Sequence, residues 1–208
     1  MDSSILELSR RGRPIIGICG GYQILGKKLL DPFGIEGGTA SEYEGLGMLP
    51  IVSTFTRYEK TTKRVTAEVR GDGPILSRVT GKRIRAYEIH MGKTETGANG
   101  GPFQVLSDSH EAASHQEGAI SEDGLVFGSY LHGLFDDEAV THALLSYLAE
   151  KKGVAGGSEV STDKAWRDSL DLLCKTVNAN VDVARIFQIG GLKTVKANEL
   201  WDRSTQSS

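Results

Sequence analysis

Five residues, Gly17-Ile18-Cys19-Gly20-Gly21, constrain this chain more than any others. They join "PIIGI", a short β-branched run bounded by a proline and glycines, to "YQILGKKLL", which has helical spacing. The first reads as a buried strand and the second as a helix. A strand feeding straight into a helix must turn on a single residue, held in a strained backbone conformation. Glycines two before and two after remove Cβ atoms that would collide across such a turn. Cys19 sits at the apex. Its sulfur would project from the carboxyl edge of the sheet, where α/β crevices form. The helix N-terminus would favour the thiolate, and the Gly20 N–H would be free to donate to a developing oxyanion. The same five residues also suit a buried, inert cysteine beside a glycine-rich helix start. A second feature has to decide.

A thiolate nucleophile needs a base, usually a histidine distant in sequence. His110 and His115 lie in polar "SDSHEAASHQEG", which reads as an exposed loop, and His142 falls early in a helical segment near its surface. His132 ends the strand-like "GLVFGSYLH" and precedes Gly133, so it would emerge at a strand tip. His90, ending "RAYEIHMG", has the same character. From pattern alone either histidine also fits a purely structural role. Cys174, within a helical pattern between Leu173 and Lys175, reads as packing.

The remaining segments suggest α/β layers, partly parallel and partly a meander. Ser4 to Arg11 reads as a short helix; "GMLPIVSTF", "RVTAEV", "RIRAYEIH", "FQVLS" and "LVFGSYLH" read as strands; about Asp137 to Lys152 reads as a long helix. "GVAGGSE" looks like a linker to helix-like "DKAWRDSLDLLCKTV" and "VDVARIFQI", and "DRSTQSS" looks disordered. The organisation expected is therefore a core over 1–153, a helical tail over 154–200 and a disordered end over 201–208. With 208 residues, 38% hydrophobic and a net charge of −3, the composition is that of a soluble globular chain. The slight acidity argues against nucleic acid as a general partner, and no apolar run approaches the roughly 18 residues of a membrane span. "GKRIR", Gly81 to Arg85, reads as a solvated strand end. Two distant cysteines and no signal-peptide pattern point to a reducing cytoplasm.

Taken together, "GICGGYQILG", "YEGLGMLP…TF…EKTT", "YEIHMGKTET" and "GSYLHGLFDD" resemble, in order, the glutamine amidotransferase domain of cobyric acid synthases, from about Arg13 to Leu148. "WRDSLDLLCKTVNANVDVARIF" resembles, more weakly, the helical tail of such chains. The resemblance implies a three-layer, flavodoxin-like class I amidotransferase sheet with flanking helices, here lacking its first strands. It implies that Cys19 attacks the side-chain amide of glutamine and that His132 is general base and acid. Gly20 would supply an oxyanion N–H and Gln23 would contact glutamine. The ammonia would go to ATP-activated carboxylates of a corrin, adenosylcobyrinic acid a,c-diamide, on a synthetase domain upstream or in trans. No cofactor or metal is expected on this chain; ATP and Mg belong to that domain, and no GxxxxGK[ST] loop occurs here.

Two departures stand out. Many related enzymes carry a glutamate two residues after the histidine; here that residue is Leu134. Glu88 is a candidate orienter by its chemistry, and His90 is a candidate for lining the glutamine pocket. The chain also opens almost at the elbow strand, which suggests a fragment or a chain completed by a partner. Cobyrinic acid a,c-diamide synthases, cell-wall precursor amidating enzymes and a catalytically silent module remain alternatives.

Overall fold

The computed structural model describes residues 2–58, 60–97, 100–106, 114–154 and 162–191. The chain divides into two compact units, Met1–Val160 and Ser161–Ser208. In the first, α1 (Asp2–Arg10) leads into β1 (Ile15–Ile18), α2 (Gly20–Leu25), β2 (Lys28–Asp31), β3 (Ser41–Glu44), β4 (Val52–Thr54) and β5 (Lys60–Val69). There follow α3 (Gly73–Leu76), β6 (Arg83–Met91), β7 (Lys93–Glu95), β8 (Phe103–Leu106), β9 (His115–Glu117) and β10 (Ala119–Ile120). β11 (Val126–Ser129), β12 (Leu131–His132) and α4 (Glu138–Lys152) complete the unit.

Three sheets form, with strand orders β1-β11-β10, β12-β6-β5-β8-β9 and β3-β2-β4-β7. β1 lies parallel to β11, Ile15 opposite Val126 and Ile18 opposite Ser129, and it is an edge strand. The expected α/β class therefore holds, with a parallel elbow strand between two apolar layers. Side chains alternate across a strand. Ile16, Ile18 and Phe127 accordingly join the core shared with Val140 and Tyr147 of α4 and with the five-stranded sheet. Ile15 and Val126 join the other core, with Tyr22 and Leu25 of α2 and with Leu49 and Ile51. α4 starts where Asp137 caps it, accepting from Ala139 N at 2.9 Å, and stops at Gly153 in the left-handed region, φ 64°. Among the described residues, no helix is long and apolar enough to cross a membrane.

Several expectations need correction. "YQILGKKLL" is not one helix. The helix stops before Gly26, where a Cβ would lie 2.7 Å from Ile51, and Lys28–Asp31 pairs in parallel with β4 instead. Tertiary contact overrides local spacing there. "GLVFGSYLH" is likewise two strands in different sheets, broken at Tyr130. His115 is not a loop residue; it begins β9. Arg83 and Arg85 are exposed on β6, as expected of a solvated strand end.

The second unit holds α5 (Thr162–Asn180) and α6 (Val183–Ile189). Cys174, expected to pack, is exposed on α5. The proposed linker falls almost wholly, and "DRSTQSS" entirely, outside the described residues.

The two outer glycines of the elbow are not equivalent. A Cβ on Gly17 would lie 2.7 Å from the backbone C and O of Gly21 and from Leu25 Cδ1, whereas one on Gly21 would meet nothing within 4 Å. Only Gly17 is sterically required. Gly17→Ala is expected to destabilise the chain by about 2–3 kcal/mol, because neither backbone can give way. Gly21→Ala is expected to stabilise α2 by about 0.5–1 kcal/mol. Denaturant midpoints of the two variants check this, and equal effects would contradict it.

Candidate active site

Cys19 has φ 55° and ψ −116°, and among the described residues it is the one non-glycine with positive φ. A single hinge residue between β1 and α2 must reverse the chain within one peptide, and this conformation accomplishes it at a cost of about 1–3 kcal/mol. A closed circuit of contacts holds the hinge. Cys19 N donates to Ser129 O at 3.0 Å, Ile89 N donates to Tyr130 O at 3.1 Å, and the Cys19 thiol donates to Ile89 O at 3.6 Å. The sulfur thus lies where the end of β11 meets β6. Gly20 and Gly21 open α2, where N–H groups lack intrahelical acceptors. A Cβ on either residue would meet nothing within 4 Å, so space lies open beside the first turn of α2.

His132 arrives at the same place from the other direction. It follows Ser129, Tyr130 and Leu131 directly and pairs with Tyr87 of β6. Its Nε2 is buried without a hydrogen-bond partner. An unpaired buried nitrogen of this kind costs roughly 1–3 kcal/mol. Cys19 and His132 are therefore brought to one junction by β1, β11, β12 and β6.

Glu88 does not orient His132. It sits opposite Leu131 while Tyr87 sits opposite His132. Opposed residues share a face and neighbours alternate, so Glu88 and His132 project to opposite faces of β6–β12. The Glu88 carboxylate turns instead to His115 Nε2 at 3.0 Å and His90 Nε2 at 3.7 Å. Those imidazoles hold it below the usual carboxylate range, His90 foremost, and Glu88 in turn raises His90. His90 Nδ1 donates to Gly92 O at 3.0 Å and its ring stacks on Tyr130, centroids 4.4 Å apart. Gln23 is buried in α2. Its amide nitrogen donates to Met91 O and to Tyr130 OH, each at 3.1 Å, so the donor half of the amide is committed to the protein. Tyr130 OH also meets Thr94 Oγ1, which bonds Ser53 Oγ at 2.7 Å.

Sequence reasoning missed Glu117, Tyr130 and His115. Glu117 is buried, and that burial pushes its carboxyl up to about 7. Its signal was faint: an acid one residue before a glycine, next to the two-residue apolar strand Ala119–Ile120. A separate cleft of about 610 Å³, lined by Ser9, Lys27, Met48, Pro50, Ser121 and Glu122 among others, contains none of these site residues.

Residues 1–140 match the model of the CobB/CobQ-like glutamine amidotransferase domain. A probable cobyric acid synthase of Methanosarcina mazei is 44% identical over 181 residues, covering 86% of this chain and 34% of that protein. One from Methanoculleus marisnigri is 49% identical over 186 residues, covering 88% and 35%. The chain spans about a third of the length of the curated relatives it matches. Among solved structures, PurLQS from Thermotoga maritima aligns with a TM-score of 0.48 at 21% identity, over 71% of this chain and 68% of that one.

Proposed function

This chain belongs to the CobB/CobQ-like glutamine amidotransferase domain family, and from that premise we propose that it releases ammonia from glutamine at Cys19 with His132 as its base. Cys19 Sγ attacks the side-chain amide carbon while its proton passes to His132. The oxyanion of the tetrahedral intermediate accepts from Gly20 N–H. Collapse breaks the C–N bond, His132 returns the proton to the leaving nitrogen, and ammonia departs from a γ-glutamyl thioester. Water then attacks the thioester carbon, His132 takes its proton and passes it to the leaving sulfur, and glutamate is freed.

The observation that carries this reading is the strained Cys19 hinge, whose N–H is tied to Ser129, three residues before His132. Strain of that kind persists where the surroundings over-determine it, and it gathers at reacting residues. Gln23 would meet glutamine through its carbonyl oxygen, and His90 beside Tyr130 would line the same pocket. The relatives' names support cobyric acid synthase over the diamide synthase and cell-wall alternatives. The ammonia would then be consumed by an ATP- and Mg-dependent portion of a longer protein or a partner, amidating corrin carboxylates in the cytoplasm.

A chloromethyl-ketone analogue of glutamine tests the chemistry, with Cys174 as an internal control because it is exposed. Mass spectrometry is expected to find the adduct on Cys19, formed faster than on Cys174 and blocked by glutamine but not by asparagine. Labelling of Cys19 no faster than Cys174, with no protection, would point instead to a silent module.

A further inference from the structure

Two strands change sheets at one point in this fold, and one buried carboxylate joins the two crossings. β9 ends at Glu117 in the five-stranded sheet and β10 begins at Ala119 in the elbow sheet. Gly118 between them has φ 82°, and a Cβ there would lie 2.5 Å from Gly128 O. β11 ends at Ser129 in the elbow sheet and β12 begins at Leu131 in the five-stranded sheet. Glu117 reaches from the first crossing into the second. Its Oε2 accepts from Ser129 Oγ and its Oε1 from Tyr130 N, both at 2.6 Å. Ser129 Oγ in turn accepts from Leu131 N at 2.9 Å.

Those three residues are the segment that determines where the reacting groups stand. Ser129 O takes the Cys19 N–H, Tyr130 O takes the Ile89 N–H, and Leu131 is followed by His132. Resting on the catalytic reading above, we propose that Glu117 is a positioning residue that grips Ser129–Leu131 from behind and so sets the approach of His132 to Cys19. His132 Nε2 itself is buried without a hydrogen-bond partner among the described residues. Burial removes water as a competitor for these short bonds. The groups facing Glu117 electrostatically are Glu88 and His115, with His90, Tyr22 and Tyr130 also within its field. None of them substitutes for it on the Ser129–Leu131 backbone, where Glu117 accepts from Tyr130 N and Ser129 Oγ accepts from Leu131 N.

Glu117→Gln is the isosteric test, made in a Cys174→Ser background so that one thiol remains. The amide oxygen keeps the Tyr130 N–H bond, but the amide nitrogen faces Ser129 Oγ and displaces its donated hydrogen. The expected result is a fall in kcat for glutamine hydrolysis of about 10–100-fold, with KM within about 3-fold and a melting midpoint within about 3 °C of the parent. A kcat within about 3-fold of the parent overturns the proposal. If the Gln variant does not fold, Ser129→Ala breaks the central link while leaving Glu117 on Tyr130 N, and the same split is expected. The pH profile of Cys19 alkylation by iodoacetamide needs no turnover. An upward shift of its midpoint in Glu117→Gln supports the clamp even in a chain that proves unable to hydrolyse glutamine, an outcome that would sink the catalytic reading alone. An unchanged profile in such a chain overturns the clamp as well.

Discussion

Replacing Cys19 by alanine is expected to lower glutamine hydrolysis by on the order of 10,000-fold or more, since the covalent path is closed and only binding and the oxyanion donor remain. The same position carries a stability test whose sign is opposite to the ordinary rule. Glycine is normally worse than alanine by about 0.5–1 kcal/mol in a folded chain, because it has more freedom to lose. At φ 55° and ψ −116° the Cβ is the source of strain. Cys19→Gly is therefore expected to be more stable than Cys19→Ala by about 1–2 kcal/mol. Both variants lose the thiol's contact with Ile89 O, so the comparison isolates the backbone. Melting midpoints read it, with a separation of about 2–6 °C expected in a chain of this size. A glycine variant that melts below the alanine variant would mean that the hinge is unstrained.

His132→Leu carries the second large expectation. Without a base to take the thiol proton and return it to the leaving nitrogen, turnover is expected to fall by about 1,000-fold. Stability should move the other way. A buried imidazole nitrogen with no partner is replaced by an apolar side chain of slightly larger volume and different shape. Removing an unsatisfied polar group gains about 1–3 kcal/mol, while imperfect packing returns about 1 kcal/mol. The net expectation is a melting midpoint equal to or slightly above the parent, measured beside steady-state ammonia release. A variant that keeps its turnover, or one that loses both turnover and fold, would contradict the assignment. Cys19 and His132 are thus both held in states their local surroundings disfavour. That pairing of activity with local instability is common at reacting groups.

Glu88 and Glu117 show how far a residue's neighbours in the chain can mislead. Glu88 suits an orienting role by its chemistry alone. Strand pairing put it on the face opposite His132, beside two other imidazoles. Glu117 lay in a polar stretch without periodicity, yet the sheet crossing at Gly118 drove it into the interior. "KKLL" likewise continued a helical pattern until the close approach of Gly26 to Ile51 ended the helix.

The sequence by itself determined the hinge. Gly17, Cys19 and the short apolar run before them encode a strand-to-helix reversal through sterics that act within a few residues, and such rules are local. It also marked His132, because a strand tip followed by glycine is a local pattern as well. Only the tertiary structure placed an acid against the Ser129–Leu131 segment that precedes His132. Glu117 is joined to Ser129 and Tyr130 across 12 and 13 positions of the chain, through the crossing of two sheets. Which strands cross, and in which register, follows from burying two apolar faces at once. No window of neighbouring residues contains that condition.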